Sequence, residues 1–198
     1  GEEDTATMEA KYVDPPIDIL GLCAVAGGGK DFFATRAHEM AGFVPLALAN
    51  HFKEEIVAKE NGPVEQIFGD EEYDPEVRGY LQIRGTEEGR DVYGKDIWCR
   101  HLEARIRYLL EHGVQRFVVS DIRFPNEAEW VKALGGKVYR LDGRERDMSG
   151  ELTQHRSETK VQEVNPDRVV DNSPGNEEKA VQEFRWFIAQ DFHPERSN

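Results

Sequence analysis

Only two cysteines, Cys23 and Cys99, occur among the 198 residues. That is too few for a disulfide scaffold or a thiolate zinc site, and each sits among apolar neighbours, as a small buried residue does. A reducing compartment is expected. No apolar run approaches the roughly 20 residues that a membrane span requires, which argues against a membrane partner. The polar opening of the chain also lacks the basic-then-apolar pattern of a secretory signal, so a cytoplasmic protein is expected. Positive charge is scarce: 25 Lys and Arg stand against 39 Asp and Glu, a net −14. Such a field gives little general attraction to nucleic-acid backbones, so a polymer partner is not expected and small-molecule chemistry is the starting point. No internal repeat or low-complexity tract is present, which excludes a solenoid.

What the chain does have is enough apolar material for one core. Ten Phe, six Tyr and three Trp on a 38% hydrophobic composition exclude disorder throughout and suit a single domain of ordinary size. Residues 1–16 are acidic, contain Pro15-Pro16 and read as a solvated tail. The run 17–24 is apolar almost without interruption, as a strand buried on both faces requires. A glycine cluster follows, then helical spacing over 31–40 with a stop at Gly42.

Further strands are predicted at 43–49, 116–121, 137–141 and 168–170. Between them lie helices at 51–60, from the cap pair Asp74-Pro75 to Leu81, at 96–112, from Pro125 to the stop at Gly135-Gly136, and at 177–190. This alternation predicts one α/β domain over 17–191, with a parallel sheet of about five strands and helices on both faces. The densely charged stretch 142–166, with Gly143 and Gly150, is the candidate lid, and 192–198 reads as a frayed end.

Two segments carry chemistry. Ala24-Val25-Ala26-Gly27-Gly28-Gly29-Lys30-Asp31 lies between a buried strand and a helix. Small residues there let backbone N–H groups wrap a phosphate chain, and Lys30 neutralises the phosphate being transferred. A glycine-rich turn without a ligand is the ordinary alternative. Ser120-Asp121-Ile122-Arg123-Phe124-Pro125-Asn126-Glu127 places an acid and a base at the carboxyl end of a strand, the edge where α/β folds bind ligands. Asp121 is placed to support magnesium and Arg123 a phosphate. A strand-end cap and a surface ion pair account for the same two residues.

The ordered set GGGKD, ALANHFKEE, LQIRGTEEGRDVYGKDIW, DIRFPNEAEW, LGGKVYRLDGRERD, HRSE and DRVVDNSPGNEE resembles the bacteriophage-type deoxynucleoside monophosphate kinases over residues 17–184. The resemblance implies a three-layer phosphate-loop kinase fold with a lid. It also implies transfer of the γ-phosphate of ATP, with Mg2+, to a deoxynucleoside 5′-monophosphate for phage DNA precursor synthesis in the host cytoplasm. Residue by residue, Gly27, Gly28, Gly29, Lys30 and Asp31 match the ATP loop, with Asp31 joining Asp121 as a candidate metal ligand. Phe52 and Lys53 match an acceptor-contacting pair, Arg78 a transfer-centre arginine, and Gly85-Thr86 a turn at the acceptor pocket. Arg90 is spaced to clamp the acceptor phosphate, and Trp98 matches a tryptophan near the nucleoside.

Arg144 is the best match to a lid arginine, in a stretch that also holds Arg140, Arg146 and Arg156. His155, Ser157 and Glu158 resemble a lid-anchoring motif, and Asn172 and Gly175 a loop near the adenine. The chain departs from the family at Phe32, where the family has Thr, and at Asn50-His51, which precede the acceptor pair. The first removes a hydroxyl from the metal site and the second bears on acceptor choice. A homodimer is expected by analogy. Two rival readings are a kinase acting on a hydroxymethylated base in DNA and a nucleotide-binding module without turnover.

Overall fold

The computed structural model describes residues 17–25, 27–69, 75–144 and 154–194. The expected tail 1–16, Asp74, Arg146 and Gly150 lie outside them. The first strand, β1 (Asp18–Cys23), is buried at every position, as its apolar run requires. It is flanked on one side by β3 (Arg116–Ile122) and on the other by β4 (Lys137–Asp142). The short β2 (Val44–Leu46) pairs with β3, and β5 (Arg168–Asp171) pairs with β4. The sheet is parallel throughout, in the order β2-β3-β1-β4-β5. All carboxyl ends therefore share one edge. The chain leaves β1 toward β2 and later crosses to β4 on the other side, so the strand order reverses at β1, where α/β sheets open a crevice.

Each face of the sheet has its own core. On one face Leu20, Leu22, Phe33, Val118, Tyr139 and Phe184 pack together, contributed by the sheet, by α1 (Lys30–Ala41) and by the last long helix, Glu177–Asp191. Phe33 and Phe184 meet edge to face with ring centres 4.9 Å apart. On the other face Ile19, Phe117, Val119, Ile106, Trp130 and Val131 form the second core. The three-layer α/β architecture expected from the alternation is present. At the amino edge Asp18 and Arg116 form a buried ion pair at 2.9 Å, and Arg116 also donates to the carbonyls of Ala41 and His193. One guanidinium thus ties two strands, the end of α1 and the end of the chain.

Between β2 and β3 the chain builds a helical wall: α2 (Asn50–Glu60), α3 (Val64–Ile67), α4 (Pro75–Gly85), a wide π-helical turn (Thr86–Arg90), α5 (Asp91–Tyr93) and α6 (Ile97–Glu111). The helix expected to end at Leu81 runs on to Gly85, and the expected Gly-Thr turn is instead where the helix widens. The reason is a close approach. Trp98 Nε1 donates to the Gly85 carbonyl at 2.8 Å, and a Cβ on Gly89 would lie 2.5 Å from the same indole. Mid-helix π turns recur at functional sites, and no hydrophobic periodicity announces one.

After β3 come α7 (Pro125–Ala133), then β4, then a short helix α8 (Arg156–Thr159) continued by a 3-10 turn (Lys160–Glu163). Residues 145–153 of the expected lid lie outside the described residues. Its second half is a fixed wall, because Val161 and Val164 are buried in the core. His155 reaches Glu87 at 2.8 Å and Arg156 reaches Asp91 at 2.5 Å. The last long helix, α9 (Glu177–Asp191), ends at Phe192. This residue was expected in a frayed end, yet it is buried edge to face against Phe43, 5.0 Å between ring centres. An aromatic beyond the last helical turn finds a place in the core that chain position alone does not reveal. Among the described residues no helix is long and apolar enough to cross a membrane.

Candidate active site

The carboxyl edge of the sheet opens into a cleft of about 1250 Å³. Its first wall is the glycine loop. Gly27 and Gly29 hold positive φ angles of 77° and 97°, a backbone conformation that L side chains resist. A Cβ on Gly28 would lie 2.8 Å from the Ala24 Cβ and 2.9 Å from the Val25 carbonyl. The loop is closed by the Gly28 N–H on Val25 O at 2.9 Å. No side chain caps the start of α1, which leaves first-turn N–H groups facing the cleft at the positive end of the helix dipole, the arrangement that receives anions. Lys30 rests against Asp31 at 3.2 Å, and both line the cleft. Phe32 is 43% exposed and lies beneath the Arg36 guanidinium.

The second wall is the end of β3. The pairing register of β1 and β3 slips by one residue between Gly21 and Cys23, a bulge whose extra residue falls at Ser120–Asp121. Bulges bend a strand and re-aim its side chains, often beside active sites. Asp121 accepts the Leu48 N–H at 2.7 Å and the Ala49 N–H at 3.0 Å, so it fixes the turn from β2 into α2. Arg123 donates to Glu158 at 2.9 Å. Glu127, in the first turn of α7, accepts the N–H groups of Arg123 and Phe124 at 2.9 and 3.0 Å and stands 3.9 Å from Arg90. Burial pushes the Glu127 carboxyl up to about 7; the two backbone N–H groups and Arg90 oppose the rise, and Asp121 adds to it.

The third wall comes from α2, α4, the π turn and α6. Phe52 and Trp98 are buried with ring centres 4.8 Å apart and both face the cleft. Gly85 brings the helix against Phe52, since a Cβ there would lie 3.2 Å from the ring. Behind Trp98, His51 and His101 stack at 3.5 Å, which places the unusual His51 outside the cleft while its neighbour Asn50 lines it. Lys53, Arg78 and the buried Thr86 also face the cleft. The Arg90 guanidinium stacks 3.5 Å over Phe124 and donates to Asn126 at 2.8 Å. Its Nη1 is buried with no hydrogen-bond partner. A buried guanidinium N–H in a cleft wall is a donor suited to an anion.

Six cationic side chains line the cleft, Lys30, Arg36, Lys53, Arg78, Arg90 and Arg123, against five carboxylates. In a chain of net charge −14 that balance leaves the cleft less acidic than the chain as a whole, which favours an anionic ligand there. Three of the sequence-predicted residues do not line it: Gly28, which is buried within the loop, Arg144 and Asn172. Arg144 donates to the Asn172 carbonyl at 2.7 Å and pairs with Glu177. Asn172 lies behind the glycine loop, its amide on the Gly28 carbonyl at 3.1 Å. Sequence reasoning included Glu127 at the end of the Ser120–Glu127 segment but gave it no role. The pattern Phe124-Pro125-Asn126-Glu127, a proline at the first helical position and a glutamate two residues later, was its only signal. Both cysteine thiols are pushed up by burial and take no part.

Among the described residues no three His, Cys, Asp or Glu side chains gather as a protein-built metal cage. A magnesium ion held through nucleotide phosphates needs no such cage; one or two carboxylates suffice. Asp31, which follows the glycine loop and pairs with Lys30, and Asp121, whose oxygens also accept the Leu48 and Ala49 N–H groups, both line the cleft and are the carboxylates that would supply that donor set.

A dephospho-CoA kinase from Campylobacter jejuni has the same fold, with a TM-score of 0.50 at 15% identity over 88% of this chain and 97% of that one. An unliganded sugar kinase from Janibacter sp. HTCC2649 overlaps at a TM-score of 0.45 and 19% identity, over 93% and 99% of the two chains. Sheet order, a glycine loop at the carboxyl edge, with Ala24 in place of the first glycine and Asp31 in place of the hydroxyl residue of the usual pattern, and the arginines of the cleft are consistent with a phosphate-loop kinase. No family model matches the chain. A protein of Acanthamoeba polyphaga mimivirus named as a deoxynucleotide monophosphate kinase is 30% identical over 141 residues, 63% of this chain and 73% of that protein. The chain belongs to the deoxynucleotide monophosphate kinase family.

Proposed function

We propose that the protein moves the γ-phosphoryl group of ATP onto the 5′-phosphate of a deoxynucleoside monophosphate, giving ADP and the diphosphate. The observation that carries this reading is the joining, in one cleft of about 1250 Å³, of a phosphate-type glycine loop with an arginine-lined aromatic wall. A single small-ligand pocket is usually about 300–1,000 Å³; this cleft has room for a donor and an acceptor in line.

The donor lies along Gly27, Gly28, Gly29 and Lys30, where backbone amides and the Lys30 ammonium hold its phosphates. Phe52 and Trp98 offer the acceptor base an apolar face, with Gly85 and Thr86 at its edge. Arg90, Arg78 and Lys53 hold the acceptor phosphate, and Arg123 reaches the group in transit. An acceptor phosphate oxygen forms the new bond to the γ-phosphorus as the bond to the β-phosphate oxygen breaks. The acceptor is already a nucleophile, so the reaction asks for positioning and charge stabilisation and needs no side-chain base. Magnesium, when bound, neutralises the donor phosphate oxygens, with Asp31 and Asp121 as its protein partners. Arg144 is placed at the root of the expected lid, and water exclusion is that segment's task.

The test is a panel of ATP, magnesium and each deoxynucleoside monophosphate in turn, modified bases included, with ADP formation as the readout. Turnover with one or more acceptors is expected, falling by about 10²-fold or more in Lys30→Ala. ATP binding without turnover on any acceptor would overturn the proposal. Activity on DNA that collapses as salt rises would replace it with the DNA-kinase reading.

A further inference from the structure

Asn172 follows β5 and is 5% exposed, behind the glycine loop and not in the cleft wall. Its Nδ2 donates to the Gly28 carbonyl at 3.1 Å across 144 positions of sequence. Gly29 lies flush against it: a Cβ there would sit 2.7 Å from Nδ2, and its φ of +97° disfavours any side chain. The Gly28 carbonyl and the Gly29 N–H belong to one planar trans peptide and point in opposite directions. Holding the oxygen toward Asn172 therefore commits the Gly29 N–H to the opposite side, where Gly27, Gly29 and Lys30 line the cleft.

The main chain of the same residue is bound to the other side of the donor site. Its N–H donates to Asp142 O at 2.8 Å, and its carbonyl accepts from Arg144 Nε at 2.7 Å. Between these two contacts Gly143 runs so close to Ser173 that a Cβ would lie 2.7 Å from the Ser173 nitrogen. One residue thus joins the glycine loop to the end of β4, where the expected lid begins.

We propose that Asn172 is a positioning residue of the donor site: its carboxamide sets the Gly28–Gly29 peptide so that the loop presents an N–H to the donor phosphates, while its main chain seats Arg144. This rests on the ATP-dependent reading above and gives Asn172 a different task from adenine contact.

The experiment measures binding of a non-hydrolysable ATP analogue with magnesium, and the steady-state KM of each substrate, for wild type, Asn172→Ala and Asn172→Asp. Loss of the hydrogen bond is expected to weaken ATP binding roughly 5- to 30-fold in Asn172→Ala, with the acceptor KM changed less than about twofold. Asn172→Asp, equal in shape but unable to donate when ionised, is expected to lose more than the alanine variant. A residue serving only stability would lower the melting temperature and leave the ratio of the two KM values untouched.

Should both variants fail to fold, the wild type decides. The Asn172 side-chain amide resonance is expected to move when the ATP analogue is added and to stay still when a monophosphate is added. Unchanged ATP affinity in folded variants, or a resonance indifferent to the analogue, would overturn the inference while leaving the kinase reading in place. A wild-type protein that binds no ATP analogue would overturn both.

Discussion

Glu127 offers a pH test of the cleft's construction. The side chain is 4% exposed, accepts the Arg123 and Phe124 N–H groups through Oε1, and presents Oε2 to Arg90 at 3.9 Å. Its carboxyl is raised from an ordinary 4.5 to about 7, burial being the largest cause. The native state therefore holds this proton more tightly than the unfolded chain does. Glu127 contributes stability that is fully present below pH 4.5 and is lost as pH rises through about 7. Each pKa unit corresponds to about 1.4 kcal/mol, so the whole span amounts to about 3 kcal/mol.

Glu127→Gln keeps an oxygen for the two N–H groups and removes the titration. Any penalty from placing an amide beside Arg90 is the same at every pH. Urea unfolding followed by tryptophan fluorescence at pH 5 and pH 8 measures both proteins. The stability of the glutamine variant relative to wild type is expected to rise by about 2.5 kcal/mol between those two values, the remainder of the span falling below pH 5. Profiles that run parallel to within about 0.5 kcal/mol would refute the reasoning, because they would mean that the carboxylate is solvated or already fully paired with Arg90.

Two further substitutions test how the walls are held. Gly89→Ala brings a methyl group to within 2.5 Å of the Trp98 indole; a stability loss of about 1–3 kcal/mol and a raised acceptor KM with little change in ATP KM are expected, and equal shifts in both constants would count against the assignment of this wall to the acceptor. Phe192→Ala removes a buried ring from its edge-to-face contact with Phe43; an unfolding free energy lower by about 3 kcal/mol or more, with both KM values unchanged, is expected from denaturant titration, and a loss below about 0.5 kcal/mol would mean that the chain end frays after all.

Local chemistry made much of this molecule legible in advance. An apolar run followed by three glycines and a lysine can form little but a buried strand, a tight loop and a helix start, because each depends on near neighbours. Gly42, Gly113 and Gly135 end helices with positive φ, a property of the single residue. The alternation of strand and helix signals required a parallel sheet, and the order of the motifs pointed to the kinase family.

The tertiary structure alone decided which polar groups meet. Whether Arg123 faces a phosphate, solvent or a glutamate 35 positions away leaves no trace in periodicity, since charged residues satisfy the same pattern in each case. The same holds for Asp121 on the Leu48 and Ala49 amides, 73 and 72 positions distant, and for Glu127 beside Arg90. The π turn at Thr86–Arg90 exists because an indole from another helix must pass Gly89, a steric demand that local propensity does not contain. Sequence thus determined the elements, the glycine loop and the family, all governed by interactions within a few residues. Strand order, the partners of each arginine and the tie between Asn172 and the donor loop arose only when packing brought distant side chains into one desolvated space, where every buried donor and charge must find a match.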